Sequence, residues 1–211
     1  HMPFGLHSCF SSKVPYITLL RDPVERILST YFFAKENISR LPDEHRKIQN
    51  YTLKEFVSLD IPQTSNYQTG VLCGAIQRVD ALFNAGGDLP ANALLLAKEN
   101  IRNFFALVGV TERFDETLLL LGRMCGWKNL HYFRRNVTAY RPAAETISED
   151  IRDIILRKNK LDSELYSFAN SLLDEKIKEY PRSFFLNLAL FKTTNWLYQK
   201  KRAYGKMQKM L

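Results

Sequence analysis

The residues most suggestive of chemistry are an arginine and a serine, Arg21 and Ser29, on either side of a predicted helix start. Arg21 follows residues 14–20, a short β-branched and aromatic run typical of a buried strand. Asp22-Pro23 then supplies a cap and a proline at the first helical position, and Ser29 follows about two turns later. A guanidinium and a hydroxyl beside a helix N-terminus can hold a phosphate. The spacing alone equally allows Arg21 to pair with an acid and Ser29 to be an ordinary surface residue.

The elements that would position these residues belong to an α/β class. Residues 14–20 and 106–110 predict strands, and strands separated by helices favour a parallel sheet over a bundle. Further helices are expected at residues 52–59, 91–105 and 111–125, from residue 148, at 161–179 and beyond Pro181, with a loop at 37–50. Two strands are too few for a stable sheet, so we expect part of the sheet to lie outside this chain. In the helix at 91–105, the spacing predicts that Leu94, Leu95 and Ile101 face inward.

The composition is that of a globular protein that can bury a core. Its 211 residues are 45% hydrophobic and 25% charged, and no apolar run approaches the roughly 20 residues of a membrane helix. Cysteines and histidines form no metal-ligand pattern and no C-x-x-C pair, so no metal is expected. Three scattered cysteines suit a reducing compartment, which favours a cytoplasmic location.

The positive charge is concentrated at the end of the chain. The net charge is +8, and residues 182–211, called the tail below, carry seven Lys/Arg and no acid, which leaves +1 on the other 181 residues. Aromatic side chains interleave with these cations. An alternative interpretation is therefore a non-enzymatic module that binds nucleic acid or anionic membrane through the tail.

Residues 15–32 (PYITLLRDPVERILSTYF) resemble the 3′-phosphate-binding motif of PAPS-dependent sulfotransferases, the family of heparan sulfate 2-O-sulfotransferase and its bacterial relatives. The resemblance implies that Arg21 and Ser29 hold the 3′-phosphate of PAPS (3′-phosphoadenosine 5′-phosphosulfate), while Arg26 is expected to make a structural ion pair. Three later segments are also similar to family segments: residues 108–115 (VGVTERFD), 133–138 (FRRNVT) and 161–169 (LDSELYSFA).

The resemblance also implies roles for residues outside the first motif. It assigns nucleotide contacts to Asn136 and also to Thr138, and contact with an acidic substrate to Arg134, with a solvated charged loop as the alternative. The first residues, HMPFGLH, resemble the segment that carries the family's catalytic histidine. On this mapping His1 is the general base that deprotonates an acceptor hydroxyl. His7 is the competing candidate, because the initial His-Met can also be a cloning remnant.

One family element is missing from this sequence. The P-K-[TC]-G-[GS]-[TS]-like loop that holds the 5′-phosphosulfate has no counterpart, and in the family it precedes the point where this chain begins. We therefore expect a P-loop-like sulfotransferase fold without its first strand and loop, in which a small parallel sheet is flanked by many helices and the C-terminal half is rich in helix. Residues 1–180 would form the sulfotransferase domain and residues 181–211 a basic amphipathic helix.

The expected function is transfer of a sulfuryl group from PAPS to a hydroxyl of a carbohydrate or other acceptor, leaving PAP (adenosine 3′,5′-bisphosphate). The expected partner is this acceptor; no nucleic acid is expected, and peripheral membrane contact through the tail is left open. Because the phosphosulfate loop is missing, a third interpretation is a catalytically inactive relative that serves as an oligomeric scaffold.

Overall fold

A computed structural model describes residues 4–5, 15–76, 88–134, 138 and 141–207, with every side chain among them except those of Glu44 and residues 202–207. Within these ranges two strands, β1 (Tyr16–Leu20) and β2 (Phe105–Val110), form a parallel sheet. Leu20 pairs with Val110, so both strands end at the same edge of the sheet. The predicted α/β class with a small parallel sheet is therefore confirmed.

Most of the described chain is helical. The helices are α1 (Pro23–Glu36), α2 (Asp43–Arg46), α3 (Leu53–Ser58), α4 (Tyr67–Leu72), α5 (Ala93–Phe104), α6 (Phe114–Cys125), α7 (Glu149–Lys158), α8 (Lys160–Lys178) and α9 (Ser183–Met207). The helices predicted after residues 22, 52, 91, 111, 148 and 161 are confirmed to within a few residues. The loop predicted at 37–50 is wrong, because this segment forms α2 and two short 3-10 turns around the fully buried Ile48.

Helix α1 starts as its sequence predicts. The Asp22 carboxylate accepts a hydrogen bond from the Glu25 backbone N–H at 3.0 Å, and Pro23 occupies the first helical position. The face that carries Val24 and Ile27 is buried against α3 and α7 in one of two hydrophobic clusters. This packing fixes the direction in which α1 leaves the edge of the sheet.

The second hydrophobic cluster surrounds β2, against which α5, α6 and α8 pack. Strand β1 is less buried than predicted, since Ile17 and Leu19 are 47% and 40% exposed. The inward prediction for Leu95 is wrong: its side chain is 57% exposed, and Ala97 takes the place facing the core with Ile101. Which face of a helix turns toward the core depends on tertiary packing. The small alanine side chains of α5 let neighbouring elements approach this face closely.

Helix α9 joins the second cluster through a stripe that includes Phe184, Leu188 and Phe191. Its opposite side also carries apolar side chains, with Leu186 75% and Leu190 65% exposed. Across the described ranges, no helix combines the length and the apolar character that crossing a bilayer requires.

Candidate anion-binding site

Arg21 lies immediately after the last residue of β1, at the edge where the two strands end. Its backbone is held on both sides by the side chain of Gln68 on α4. Arg21 N–H donates to Gln68 Oε1 at 2.8 Å, and Gln68 Nε2 donates to the Arg21 carbonyl at 2.9 Å. Gln68 is buried, so these two hydrogen bonds fix the residue from which the guanidinium extends.

The Arg21 side chain lies between two carboxylates. Its Nη2 donates to Glu25 Oε2 at 3.1 Å, and its Nε lies 3.9 Å from Glu112 Oε1, too far for a hydrogen bond. The pairing with an acid that the sequence left open is thus observed. The Nε atom is nevertheless buried and has no hydrogen-bond partner within the described ranges. The accessible part of this half-buried guanidinium is therefore not the Nε atom but the rest of the group.

A second arginine, Arg141, reaches the same carboxylate. Its Nη2 lies 2.7 Å from Glu25 Oε2, and its Nη1 donates to the Glu25 carbonyl at 3.1 Å. Burial alone would raise the pKa of Glu25, but hydrogen bonding and charge from Arg141, followed by the charge of Arg21, lower it below its ordinary value. Sequence reasoning missed Arg141, which is far from Glu25 along the chain and stands in no recognised motif.

Ser29 follows Glu25 by one turn of α1, so the two side chains share a helix face. Ser29 is half-buried and is therefore neither sealed in the core nor fully exposed. Ser29 therefore lies on the same face of α1 as Glu25, the carboxylate that Arg21 and Arg141 both contact. That Arg21 and Ser29 hold one phosphate together stays a prediction.

Two of the three later motif segments contact the same sheet edge. From the segment at 108–115, the Thr111 hydroxyl donates to the Leu20 carbonyl at 3.1 Å, and Glu112 accepts from the backbone N–H of Asp22 at 3.3 Å. From the segment at 161–169, the Tyr166 hydroxyl donates to Glu112 at 3.1 Å. Segments far apart in the chain therefore meet around Arg21.

Asp162 holds the start of α4, which carries Gln68. It is fully buried and accepts hydrogen bonds from the backbone N–H groups of Gln68 and Thr69 at 3.1 and 2.8 Å. A carboxylate at the start of α4 satisfies donors that the helix itself cannot pair. Asp162 thereby positions Gln68, which in turn holds the backbone of Arg21.

Arg26 has a structural role, and among the described residues it forms no ion pair of the kind that we expected. Its Nη2 donates to the Gln63 carbonyl at 2.9 Å, and its guanidinium lies 5.3 Å from the ring centre of Tyr67. Burial lowers the pKa of Arg26, an effect that the negative charge of Asp162 partly opposes. The carbonyl and the ring contact the cation where the prediction placed a carboxylate, while the buried Arg26 Nε has no hydrogen-bond partner within the described ranges.

Of the other predicted site residues, the structure describes only Arg134 and Thr138. Arg134 is exposed and lies beside the Tyr132 hydroxyl, which donates to Asp115 at 2.8 Å. His1, His7 and Asn136 lie outside the described residues. Within the ranges that the structure describes, no three His, Cys, Asp or Glu side chains are grouped as metal ligands.

A shallow depression between α5 and α8 shares no residue with the site; it is lined by Lys98, Ser163, Glu164, Ser167, Phe168 and Ser171.

A strand end, a helix N-terminus and two converging guanidiniums are the parts from which α/β proteins commonly build anion sites. The comparison with known families is specific: the model of the galactose-3-O-sulfotransferase family matches residues 5–187. The chain belongs to this sulfotransferase family. The match includes every residue of the site described above and ends shortly after α9 begins.

Individual relatives carry names from the same group of enzymes. The chain is 30% identical over 154 residues to uronyl 2-sulfotransferase of Homo sapiens, with 67% of this chain and 35% of that protein covered. It is 29% identical to heparan sulfate 2-O-sulfotransferase 1 of Gallus gallus (74% and 46% covered) and 26% identical to galactose-3-O-sulfotransferase 3 of Mus musculus (80% and 39% covered). The chain therefore spans less than half the length of these relatives.

Proposed function

We propose that the protein transfers a sulfuryl group from PAPS to a hydroxyl of a glycan acceptor, leaving PAP, and that Arg21 and Ser29 hold the 3′-phosphate. Family membership supports the reaction class, and the names of the relatives support a carbohydrate acceptor. Because the chain spans less than half of the length of those relatives, its sulfotransferase activity is proposed here. A P-loop-like fold is proposed as well.

The observation that carries the proposal is the half-buried Arg21 guanidinium, which starts from a backbone held by Gln68 at the end of β1, beside the N-terminus of α1. A phosphate monoester bears close to two negative charges and several acceptor oxygens. Its oxygens can therefore accept hydrogen bonds from a guanidinium and from the Ser29 hydroxyl at the same time, each on a different oxygen. The residues present thus fit a phosphate group.

The remaining roles are proposals that rest on the family resemblance. His1 would take the proton of the acceptor hydroxyl, since a neutral imidazole can accept a proton near neutral pH. Asn136, and with it Thr138, would contact the nucleotide, and Arg134 would face an acidic acceptor. Residues 1–180 would form the sulfotransferase domain, with 181–211 as a basic amphipathic helix. A cytoplasmic location is proposed with them.

Calorimetry with PAP tests the site at Arg21. We expect binding by the wild-type chain and a loss of roughly 10- to 100-fold in affinity for Arg21→Ala, because hydrogen bonds to charged groups contribute about 1.5–3 kcal/mol. Ser29→Ala should lose less, since it removes one neutral donor. Arg46→Ala is a matched control, because it removes one positive charge from an exposed arginine that pairs with Asp43.

Two results would count against the proposal. One is undetectable binding of PAP by the wild-type chain. The other is equal affinity of wild type and Arg21→Ala when both give the same far-ultraviolet circular dichroism spectrum. Formation of a sulfated sugar by the full gene product would then test the reaction itself.

A further inference from the structure

Glu25 is shared by two guanidiniums that approach it from different parts of the chain. Arg21 precedes α1, whereas Arg141 precedes α7, and the Nη2 atoms of both lie within 3.1 Å of the same oxygen, Oε2. Each of these three side chains is only about a quarter exposed, at 26%, 22% and 22%. Two donors aimed at one anionic oxygen in a half-buried place match the way arginines surround a phosphate.

The two guanidiniums share one close carboxylate oxygen. Glu25 lies within hydrogen-bond distance of both, whereas Glu112 lies 3.9 Å from Arg21 and keeps its negative charge while it accepts from the Asp22 N–H and the Tyr166 hydroxyl. Within the described ranges, Arg141 contacts no acid besides Glu25. A phosphate offers several acceptor oxygens, so two guanidiniums can each bind a different one, which a single carboxylate oxygen does not allow.

We propose that Arg141 is a second arginine of the 3′-phosphate site, and that Glu25 holds both guanidiniums in position until the phosphate binds. This inference rests on the proposed function, because it takes the 3′-phosphate of PAP as the anion. It adds a residue that neither the sequence motifs nor the family match assigned. When phosphate binds, the Nη2 atoms of the two guanidiniums donate to phosphate oxygens instead of to Glu25 Oε2. Glu25 stays close to both arginines and keeps their side chains oriented.

Calorimetry and ³¹P NMR with PAP test the proposal on the 211-residue chain. Arg141→Ala should lower the affinity for PAP by roughly 10- to 100-fold. Arg141→Lys should lie between wild type and Arg141→Ala, because lysine keeps the charge but lacks the planar fork. Arg152→Ala is the matched control, because Arg152 also donates to a backbone carbonyl, that of Ala144, at 3.0 Å. The Arg152→Ala variant should bind PAP with the affinity of wild type.

The NMR readout separates phosphate contact from structural support. The two phosphates of PAP give separate resonances, and two cations should depress the pKa of the bound 3′-phosphate below its free value of about 6. In Arg141→Ala this pKa should move back toward the free value, while the 5′-phosphate resonance keeps its wild-type behaviour. A merely structural Arg141 would change both resonances together or neither.

The outcomes distinguish this inference from the proposed function. If wild type does not bind PAP, both fail. If Arg21→Ala loses affinity while Arg141→Ala binds like wild type, Arg141 is not a ligand and the proposed function stands. If Arg141→Ala does not fold, Arg141→Lys decides: an affinity and a 3′-phosphate pKa equal to those of wild type overturn the specific role of the guanidinium, and a partial loss supports it.

Discussion

The position of Arg21 depends on hydrogen bonds to its backbone more than on its own side chain. Gln68 pairs with both the N–H and the carbonyl of Arg21, and Asp162 holds the backbone N–H of Gln68. These three residues come from three separate parts of the chain. A phosphate site needs a guanidinium that starts from a fixed point, because misplacement by about 1 Å can cost much of the binding advantage of preorganisation.

Replacing Gln68 with alanine should destabilise the protein and loosen the site. The substitution leaves the N–H and carbonyl of Arg21 without their buried partners, which should cost about 1–3 kcal/mol in the free energy of unfolding. Urea unfolding measures this cost, and the exposed Gln49→Ala is the control that should cost little. A free energy of unfolding for Gln68→Ala within about 0.5 kcal/mol of wild type would show that Gln68 does not hold this turn.

Local signals predict the strand, cap and helix around Arg21 and Ser29, and the family resemblance of residues 15–32 then assigns these two residues to the candidate site. Gln68 and Arg141 have no such signals. Gln68 stands in a weakly periodic segment, and both residues reach the site only through contacts between distant parts of the chain. Asp162 and Tyr166 belong to a motif, but the motif gives their order along the chain and not what they touch.

At the scale of elements, α1 presents its first turn to the site and its far side to the core. The N-cap at Asp22 is what allows the chain to turn from β1 into α1 within two residues. The same carboxylate places negative charge at the positive end of the helix dipole. This stabilises the helix and lowers the positive electrostatic potential at its N-terminus.

Asp22→Ala should therefore lower the free energy of unfolding by about 1 kcal/mol, because it removes a hydrogen-bonded cap. Asp22→Asn should lose less, since asparagine caps nearly as well. The control is Asn92→Ala: Asn92 precedes α5 but makes no capping hydrogen bond with its side chain. Chemical denaturation of the three variants checks the order, and equal stability of Asp22→Ala and wild type would contradict it.

The strands and most helices could be predicted because their periods and caps are local. The failures have a common physical origin in tertiary packing. Leu95 is exposed because alanines of α5 face the core, and the segment 37–50 folds into turns around Ile48 despite its polar composition. Strand β1 keeps two exposed apolar side chains, and the expectation that more of the sheet lies outside the chain stays a prediction.

At the scale of the molecule, the tail is the part that the family assignment explains least. The family match ends at residue 187, soon after α9 begins, while apolar side chains such as Leu190 and Trp196 remain exposed beyond it. Part of α9 is nevertheless core, through Phe184, Leu188 and Phe191. A basic tail that only binds an external partner would not require these buried contacts. Binding of nucleic acid or membrane through the tail stays a prediction.

Surface charge should make the whole molecule sensitive to acid. Lys54 pairs with Asp150 at 2.6 Å between α3 and α7, and this hydrogen bond, followed by that of Ser148, lowers the pKa of Asp150 to about 2. The pKa values of Glu25 and Glu55 are also lowered, from ordinary values of 4.5. A carboxylate whose pKa is lower in the folded than in the unfolded state stabilises the protein above the unfolded value and loses that contribution as pH falls through the folded value.

The free energy of unfolding should therefore decrease as the pH falls from about 4.5 to about 2. Urea unfolding at a series of pH values measures the slope. Asp150→Asn and Lys54→Met should each flatten it between about pH 4 and pH 2, because each removes the pair that lowers the pKa of Asp150. Salt at about 1 M should reduce the difference between these variants and wild type, since the pair is exposed and screened. A slope unchanged in both variants would mean that the bridge between α3 and α7 does not form in solution.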